Sequence, residues 1–451
     1  MFSFTNVFHQ FLSKVITLAF TGVFSIYSLF TGVLVEPATV PEDFNPVLRF
    51  VACSDVHITE EKDEVSGESY IKEDNIVKYN KVFESAYAVA EQDEKYNKLD
   101  AVIVAGDMTG SGMECEYEVF MDITERNLRE GTEFIPCMGN HEFIEYRDHD
   151  ATVAYDVYKQ FVNSEVDIHT VVNGYHFIAV SYDDNGDETF KTKTEWLREQ
   201  LDIAVADTGD KPIFVIQHPH PALTVYGSIN WGNLEIRTVL EKYPQVVDFS
   251  GHSHYAASDP RSIWQGSFTA LGCSGVTGAM GNLNYISGDQ YGDGDSGMYW
   301  LVEVDAEGNI RLRLYDLVSD MFFEDVEYYL PKVSEKSSKI YNWLNMYSLD
   351  TKPAFPENAE ISLVDTEDGS TEISFPEARG YFRAENYKVS VTRGLENVYS
   401  VTVLSDYTRA NDFTKNVNLG ELSAGEYCVT VKAYSPYAKG GETLTLTFTV
   451  E

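Results

Sequence analysis

Chemistry in this chain is concentrated in five short polar clusters, each at the end of an apolar run. They are Asp55-Val56-His57, Gly106-Asp107, Gly139-Asn140-His141-Glu142, His218 and Gly251-His252-Ser253-His254. Together they hold two aspartates, one asparagine and five histidines. Singly each is ordinary, because a strand-end Asp usually caps a turn or helix and a lone His usually sits in a surface or core position. Jointly they form a donor set. Imidazole, carboxylate and amide oxygen suit Zn, Fe, Mn or Ni without any thiolate. The ligands suffice for two cations, and a shared carboxylate would hold these about 3.5–4 Å apart, the spacing of two-metal hydrolysis. Asp107, in the turn "AGDMTGSG" at 105–112, is the candidate bridge. A Gly-rich turn can also cradle phosphate on backbone N–H groups, but the lone Asp favours a metal, with Gly106 and Gly110 leaving room for close approach.

Such clusters need a scaffold that brings them to one place. The runs "VLRFVACSD", "LDAVIVAGD", "EFIPCMGNH", "YHFIAVSYD", "KPIFVIQH" and "QVVDFSGHSH" have the continuous apolar texture of buried strands. Between them, Val82, Phe83, Ala86 and Ala90 (in 79–97) and Trp196, Leu197, Leu201 and Ala204 (in 192–207) recur at helical spacing. Strand–helix alternation predicts an α/β architecture. Ligands in open α/β sheets bind beyond the carboxyl ends of the strands, where these clusters fall. Further β-rich runs follow at "SFTALGCSG" and around the EGN turn of "GMYWLVEVDAEGNIRLRLYD", and 331–352 reads as a partly helical connector. From Pro353 the texture becomes strictly alternating, with Tyr427, Val429 and Val431 on one face and Leu444, Leu446, Phe448 and Val450 on another. That pattern predicts a β-sandwich.

The order D-x-H, G-D, G-N-H-E, H, G-H-x-H resembles the calcineurin-like metallophosphoesterase family across about residues 48–256, with the general texture continuing to about 325. The resemblance implies that Asp55, His57 and His254 bind one metal, that Asn140, His218 and His252 bind the other, and that Asp107 bridges them. It makes His141 a proton donor to the leaving group, not a ligand, with Glu142 as its possible orienting neighbour. It implies a four-layer α/β/β/α sandwich and hydrolysis of phosphomonoesters or phosphodiesters by in-line attack of a hydroxide between the metals. The chain departs from the family where G-D-x-x-D or G-D-x-x-N is common: the fourth position is Gly110. Either Glu142, Glu114 or Glu116 then supports His141, or that ring is held less firmly. The stretch "LGELSAGEYCVTVKAYS" is similar to the late strands of fibronectin type III domains. The organisation expected is a membrane or signal segment with linker at 1–40, a metallophosphoesterase domain at 45–330, the connector at 331–352 and a fibronectin type III-like sandwich at 353–451.

The totals narrow the partners. With 33 basic against 72 acidic residues in 451, the formal charge is −39, which repels nucleic-acid polymers. Small phosphorylated substrates remain compatible, because bound cations reverse the local field. Five cysteines without CxxC spacing make neither a disulfide framework nor a zinc-thiolate site. The 21 residues Val15–Val35 carry no charge and are long enough to span a bilayer. Lys14 precedes them and Glu36, Glu42 and Asp43 follow, which predicts export of everything after the segment. The segment is an uncleaved anchor or a cleaved signal. The expected substrate is a small phosphorylated molecule or a lipid or cell-wall phosphate. The alternative function is a catalytically silent surface protein that holds a partner through its C-terminal sandwich.

Other features carry less. His220, beside His218, reads as an exposed loop residue or a pocket wall. "GDQYGDGDSG" (288–297) lacks EF-hand spacing and reads as a loop. Tyr146, Arg147, Trp231 and Tyr285 lie in loops between motifs, and His149, His169 and His176 have structural or surface roles by default.

Overall fold

The computed structural model describes residues 35–148, 151–183, 187–278, 296–336, 339–364, 366–367, 369–411 and 414–451. Residues 15–34 of the expected membrane segment, His149, Tyr285 and most of 288–297 lie outside the described residues. Among the described residues no helix is long and apolar enough to cross a membrane.

The apolar runs do become strands. In chain order these are β1 (Pro46–Cys53), β2 (Ala101–Ala105), β3 (Glu133–Cys137), β4 (Ile168–Val172), β5 (Tyr175–Val180), β6 (Ile213–Gln217), β7 (Val246–Ser250), β8 (Ile263–Gln265), β9 (Thr269–Gly272), β10 (Met298–Asp305), β11 (Ile310–Asp316) and β12 (Met321–Leu330). They build two six-stranded sheets, ordered β12-β11-β10-β1-β2-β3 and β8-β9-β7-β6-β5-β4. β1, β2 and β3 run parallel, as do β5, β6, β7 and β9.

The strands are apolar on both faces because both are covered. Leu48, Phe50 and Ala52 of β1 face the second sheet, where Phe50 meets Phe177, Phe214 and Phe249 edge-on at 5.1, 4.8 and 5.7 Å. The alternate residues Val51 and Cys53 pack on helices α1 (Glu73–Gln92), α2 (Glu114–Asn127) and α3 (Ala151–Val162). On the far side, Ile213 and Val215 of β6 pack on α4 (Asp187–Thr208) and, after a short α5 (Ser228–Trp231), on α6 (Leu234–Leu240). The result is the four layers α/β/β/α. Helix α1 starts six residues before the apolar periodicity does, at Glu73 and not at Tyr79. Its first turns are polar but tethered, since Asn75 Nδ2 donates to the His57 carbonyl at 2.5 Å.

A buried carboxyl on β7 runs against the apolar pattern. Asp248 of β7 is fully buried; its Oδ1 accepts from Gln217 Nε2 at 2.8 Å, and its Oδ2 has no hydrogen-bond partner among the described residues. Burial pushes its carboxyl up to about 8. A carboxyl raised above its unfolded value contributes stability that is complete below the unfolded pKa, near 3.9, and is lost as pH rises toward the folded value. Asp248→Asn keeps the Oδ1 acceptor and has no proton to lose. The variant is therefore expected to stabilise the metal-free protein by roughly 2–4 kcal/mol at pH 7 and by nothing at pH 4. Denaturant midpoints at the two pH values test this, and an equal gain at both would contradict it.

Beyond β12, helix α7 (Trp343–Leu349) leads to seven antiparallel strands. These are β13 (Ser362–Val364), β14 (Thr371–Pro376), β15 (Asn386–Arg393), β16 (Glu396–Leu404), β17 (Thr414–Gly420), β18 (Gly425–Tyr434) and β19 (Gly440–Val450). Two sheets, β13-β14-β17 and β16-β15-β18-β19, close on one core in which Ile373, Phe375 and Val417 meet Tyr387, Val389 and Val431. Arg261 ties this unit to the four-layer body, bonding Asp259 on its own side and Glu385 and the Pro436 carbonyl on the other.

Candidate metal centre

Parallel strands of both sheets end at one edge, and the polar clusters sit just past those ends: Asp55 and His57 after β1, Asp107 after β2, Asn140 and His141 after β3, His218 after β6, His252 and His254 after β7. The turns are wound unusually tightly. Asp55, His57, Asp107, His252 and His254 all have left-handed backbone, with φ of 54°, 47°, 51°, 70° and 53°. A side chain there costs on the order of 1–2 kcal/mol per residue. The turns hold because they bond to one another: Asp55 N–H to the Gly106 carbonyl at 3.1 Å, His57 N–H to the Asp107 carbonyl at 3.0 Å, and Gly251 N–H to the His218 carbonyl at 3.0 Å. Strain accepted at five positions of one site points to geometry kept for a ligand.

The side chains converge as two overlapping donor groups. Asp55, His57, Asp107 and His254 form one and Asp107, His218 and His252 the other, with ligand atoms within 4.8 Å of each other in each group. Asn140 Oδ1 joins the second, 3.1 Å from His218 Nε2. Asp107 divides its carboxylate. Oδ1 accepts from His141 N–H at 2.9 Å, while Oδ2 faces His218 Nε2 at 3.0 Å and His57 Nε2 at 3.8 Å. Asp55 does the same, with Oδ2 accepting from His252 N–H at 3.1 Å and Oδ1 2.9 Å from His254 Nε2.

The ring nitrogens point to a cation. His218 Nδ1 lies 2.8 Å from the Ala105 carbonyl and His254 Nδ1 lies 3.1 Å from that of Gly278. Carbonyls only accept, so each Nδ1 carries the hydrogen and each Nε2 is left facing a carboxylate, where it can hold a proton or a cation. His57 Nε2 and His254 Nε2 also face each other at 3.0 Å. Asp55 Oδ1 is buried with no hydrogen bond of normal geometry. The two donor groups share Asp107, and their imidazole and carboxylate atoms are of the kind that could hold metal ions.

Residues 48–256 match the calcineurin-like phosphoesterase family model. Together with the donor groups, the match supports a metal-dependent phosphoester hydrolase domain of the metallophosphoesterase family. No curated protein matches the chain.

Without metal, the charges within this centre polarise one another. Burial opposes charging His218, but Asp107 beside it raises that ring to about 9. Burial would push Asp107 up, yet His218 holds its carboxylate below the usual range. His252 is lowered to about 4 by burial and by His218.

The departure at Gly110 has a structural resolution. His141 Nδ1 lies 2.7 Å from the Gly110 carbonyl, so the backbone of the departing residue holds the ring that a side chain was expected to hold. Among the described residues, none of the three candidate glutamates does so. Glu116 accepts from Ser111 and Met113 N–H at 2.8 and 3.2 Å, Glu142 binds other loops, and Glu114 opens α2. The glycines leave room for protein groups and not for metal: a Cβ on Gly110 would overlap Thr59, and one on Gly106 would overlap the His218 ring. Gly110→Ala is expected to displace the carbonyl and lower kcat about 10²-fold while metal content stays near wild type. Adding Thr59→Gly should restore most of the loss, and a double variant no better than the single one would refute this packing argument.

Glu142 is a joint between loops. Fully buried, it accepts from Asp107 N–H at 3.1 Å, Thr109 N–H and Oγ1 at 2.9 Å each, and Gly139 N–H at 2.5 Å. Burial, and then Asp107, raises its carboxyl to about 7.

His220 is neither an exposed loop residue nor a pocket wall. It is buried, with Nδ1 2.9 Å from Ser250 Oγ and Nε2 2.7 Å from Ser253 Oγ, and so props the loop that carries His252 and His254. Its H-x-H spacing from His218 was the available signal. His169 and His176 lie apart from the centre, bonded to one another at 2.7 Å.

Proposed function

We propose that this chain is a two-metal phosphoesterase that hydrolyses phosphomonoesters or phosphodiesters outside the cytoplasmic membrane. The observation that carries the reading is the Asp107 carboxylate shared by two histidine-rich donor groups. Asp55, His57 and His254 would hold one cation, Asn140, His218 and His252 the other, and Asp107 both. When bound, the pair supplies an activated water near neutral pH and neutralises phosphoryl charge. The protein residues do the rest. Strained turns fix the donors before substrate arrives. His141, about a third exposed and with Nε2 3.9 Å from Asp107 Oδ2, is placed to hand a proton to the departing alkoxide. As an imidazolium the ring would keep its Nδ1–H on the Gly110 carbonyl and give up the proton on Nε2.

Export rests on the uncharged stretch Val15–Val35. A fibronectin type III-like C-terminal unit is supported by its three-plus-four strand order and by Tyr427, whose hydroxyl donates back to the Ser423 carbonyl at 2.6 Å near the start of β18. The domain limits 45–330 and 353–451 go with this reading.

The test is elemental analysis of the purified full chain in detergent, followed by assay of p-nitrophenyl phosphate and bis-p-nitrophenyl phosphate. About two transition ions per chain and turnover of at least one ester are expected. Metal-loaded protein inert to both would overturn the proposal.

A further inference from the structure

Resting on that hydrolase reading, we infer that the loop after His218 is an apolar substrate wall, and that the alcohol portion of the preferred phosphoester is an alkyl or acyl chain. Three large aliphatic side chains lie exposed between residues 223 and 234: Leu223 at 55%, Ile229 at 58% and Leu234 at 59%. Single exposed apolar residues are commonplace, whereas several presented by one rigid loop beside a reactive centre mark a binding face. Leu223, the loop's first exposed residue, follows His218 by five positions, and the loop's Trp231 ring stands edge-on to the other ligand, His252, with centroids 6.3 Å apart. Trp231 thus joins this segment to the donor set.

The exposure is built in. Leu223 has φ of 58°, a conformation a bulky residue adopts only under constraint. The constraint is visible: Arg237 donates to the Ala222 carbonyl at 2.7 Å, Thr224 Oγ1 to the Pro221 carbonyl at 2.5 Å, and Ala222 N–H to the Asn233 carbonyl at 3.0 Å. Behind Trp231 runs a stack of Tyr255, at 5.9 Å, and Tyr226, 4.3 Å from Tyr255, capped by the Arg261 guanidinium 3.8 Å over the Tyr226 ring. Arg261 is the residue that clasps the C-terminal unit, so the wall is braced from there. A flexible loop would fold its leucines inward; this one is pinned with them facing out. A polar alcohol such as a sugar would find no hydrogen-bonding side chain at Leu223, Ile229 or Leu234, while an aliphatic chain gains affinity with each methylene it buries.

The experiment uses ethyl- and octylphosphonate, which are not hydrolysed, in calorimetric titrations of the metal-loaded full chain, alongside hydrolysis of ethyl and octyl phosphate. Octylphosphonate is expected to bind at least about tenfold more tightly than ethylphosphonate, and kcat/KM to favour octyl phosphate similarly, chiefly through KM. The double variant Leu223→Ser, Ile229→Ser changes only exposed side chains, and it is expected to remove most of that preference. Equal binding of the two phosphonates by wild type, or a double variant of unchanged melting temperature that keeps the full preference, overturns the apolar wall alone. Absence of phosphonate binding together with no hydrolysis of either ester overturns the hydrolase reading with it.

Discussion

Asp107→Asn is expected to lower metal content from about two ions per chain to one or none and to reduce phosphoester turnover on the order of 10³-fold or more. The carboxylate has two tasks that the amide separates. Asn retains an oxygen to accept the His141 N–H that Oδ1 now receives at 2.9 Å, so the turn should fold. It loses the anionic Oδ2 that lies 3.0 Å from His218 Nε2 and 3.8 Å from His57 Nε2, the atom placed between the two donor groups. Two cations brought to adjacent positions repel, and a shared negative charge is what offsets that repulsion. Elemental analysis with single-turnover assays decides the matter. A variant with two ions and near-normal turnover would leave Asp107 without its bridging role.

Glu142→Ala is expected to destabilise the protein by about 3–5 kcal/mol and to abolish metal retention, although Glu142 lies in neither donor group. Its carboxylate collects the Asp107, Thr109 and Gly139 N–H groups, all in buried backbone. Truncation strands these donors away from water and frees the β2 and β3 turns from one another. Glu142→Gln keeps one acceptor oxygen but sets an amide NH2 against a backbone N–H, so an intermediate loss of stability is expected. Thermal midpoints read beside metal content should rank wild type above Gln above Ala in both quantities. A Glu142→Ala protein that melts normally and lacks only activity would mean that this residue acts directly on the chemistry instead.

The sequence by itself determined the strands, their burial and the donor types. An apolar run flanked by helical periodicity leaves a parallel strand few alternatives, and Asp, Asn and His at successive strand ends need only topology to meet. The resemblance to a known family further distributed Asp55, His57, Asn140, His218, His252 and His254 between two metals. What the tertiary structure alone decided are relations that no residue name encodes. The Gly110 carbonyl holds His141 where a carboxylate was expected, because a backbone oxygen is present at every position and only the fold selects which one faces the ring. Burial of His220 between two serines depends on where β7 ends relative to β6. Left-handed backbone at Asp55, His57 and Asp107 arises from bonds between neighbouring turns, not from the local preference of those residues. Leu223 and Ile229 would be assigned to a core from composition alone. They stand in solvent because Arg237 and Thr224 pin the loop from behind, a constraint that exists only once helix α6 and that loop have packed together.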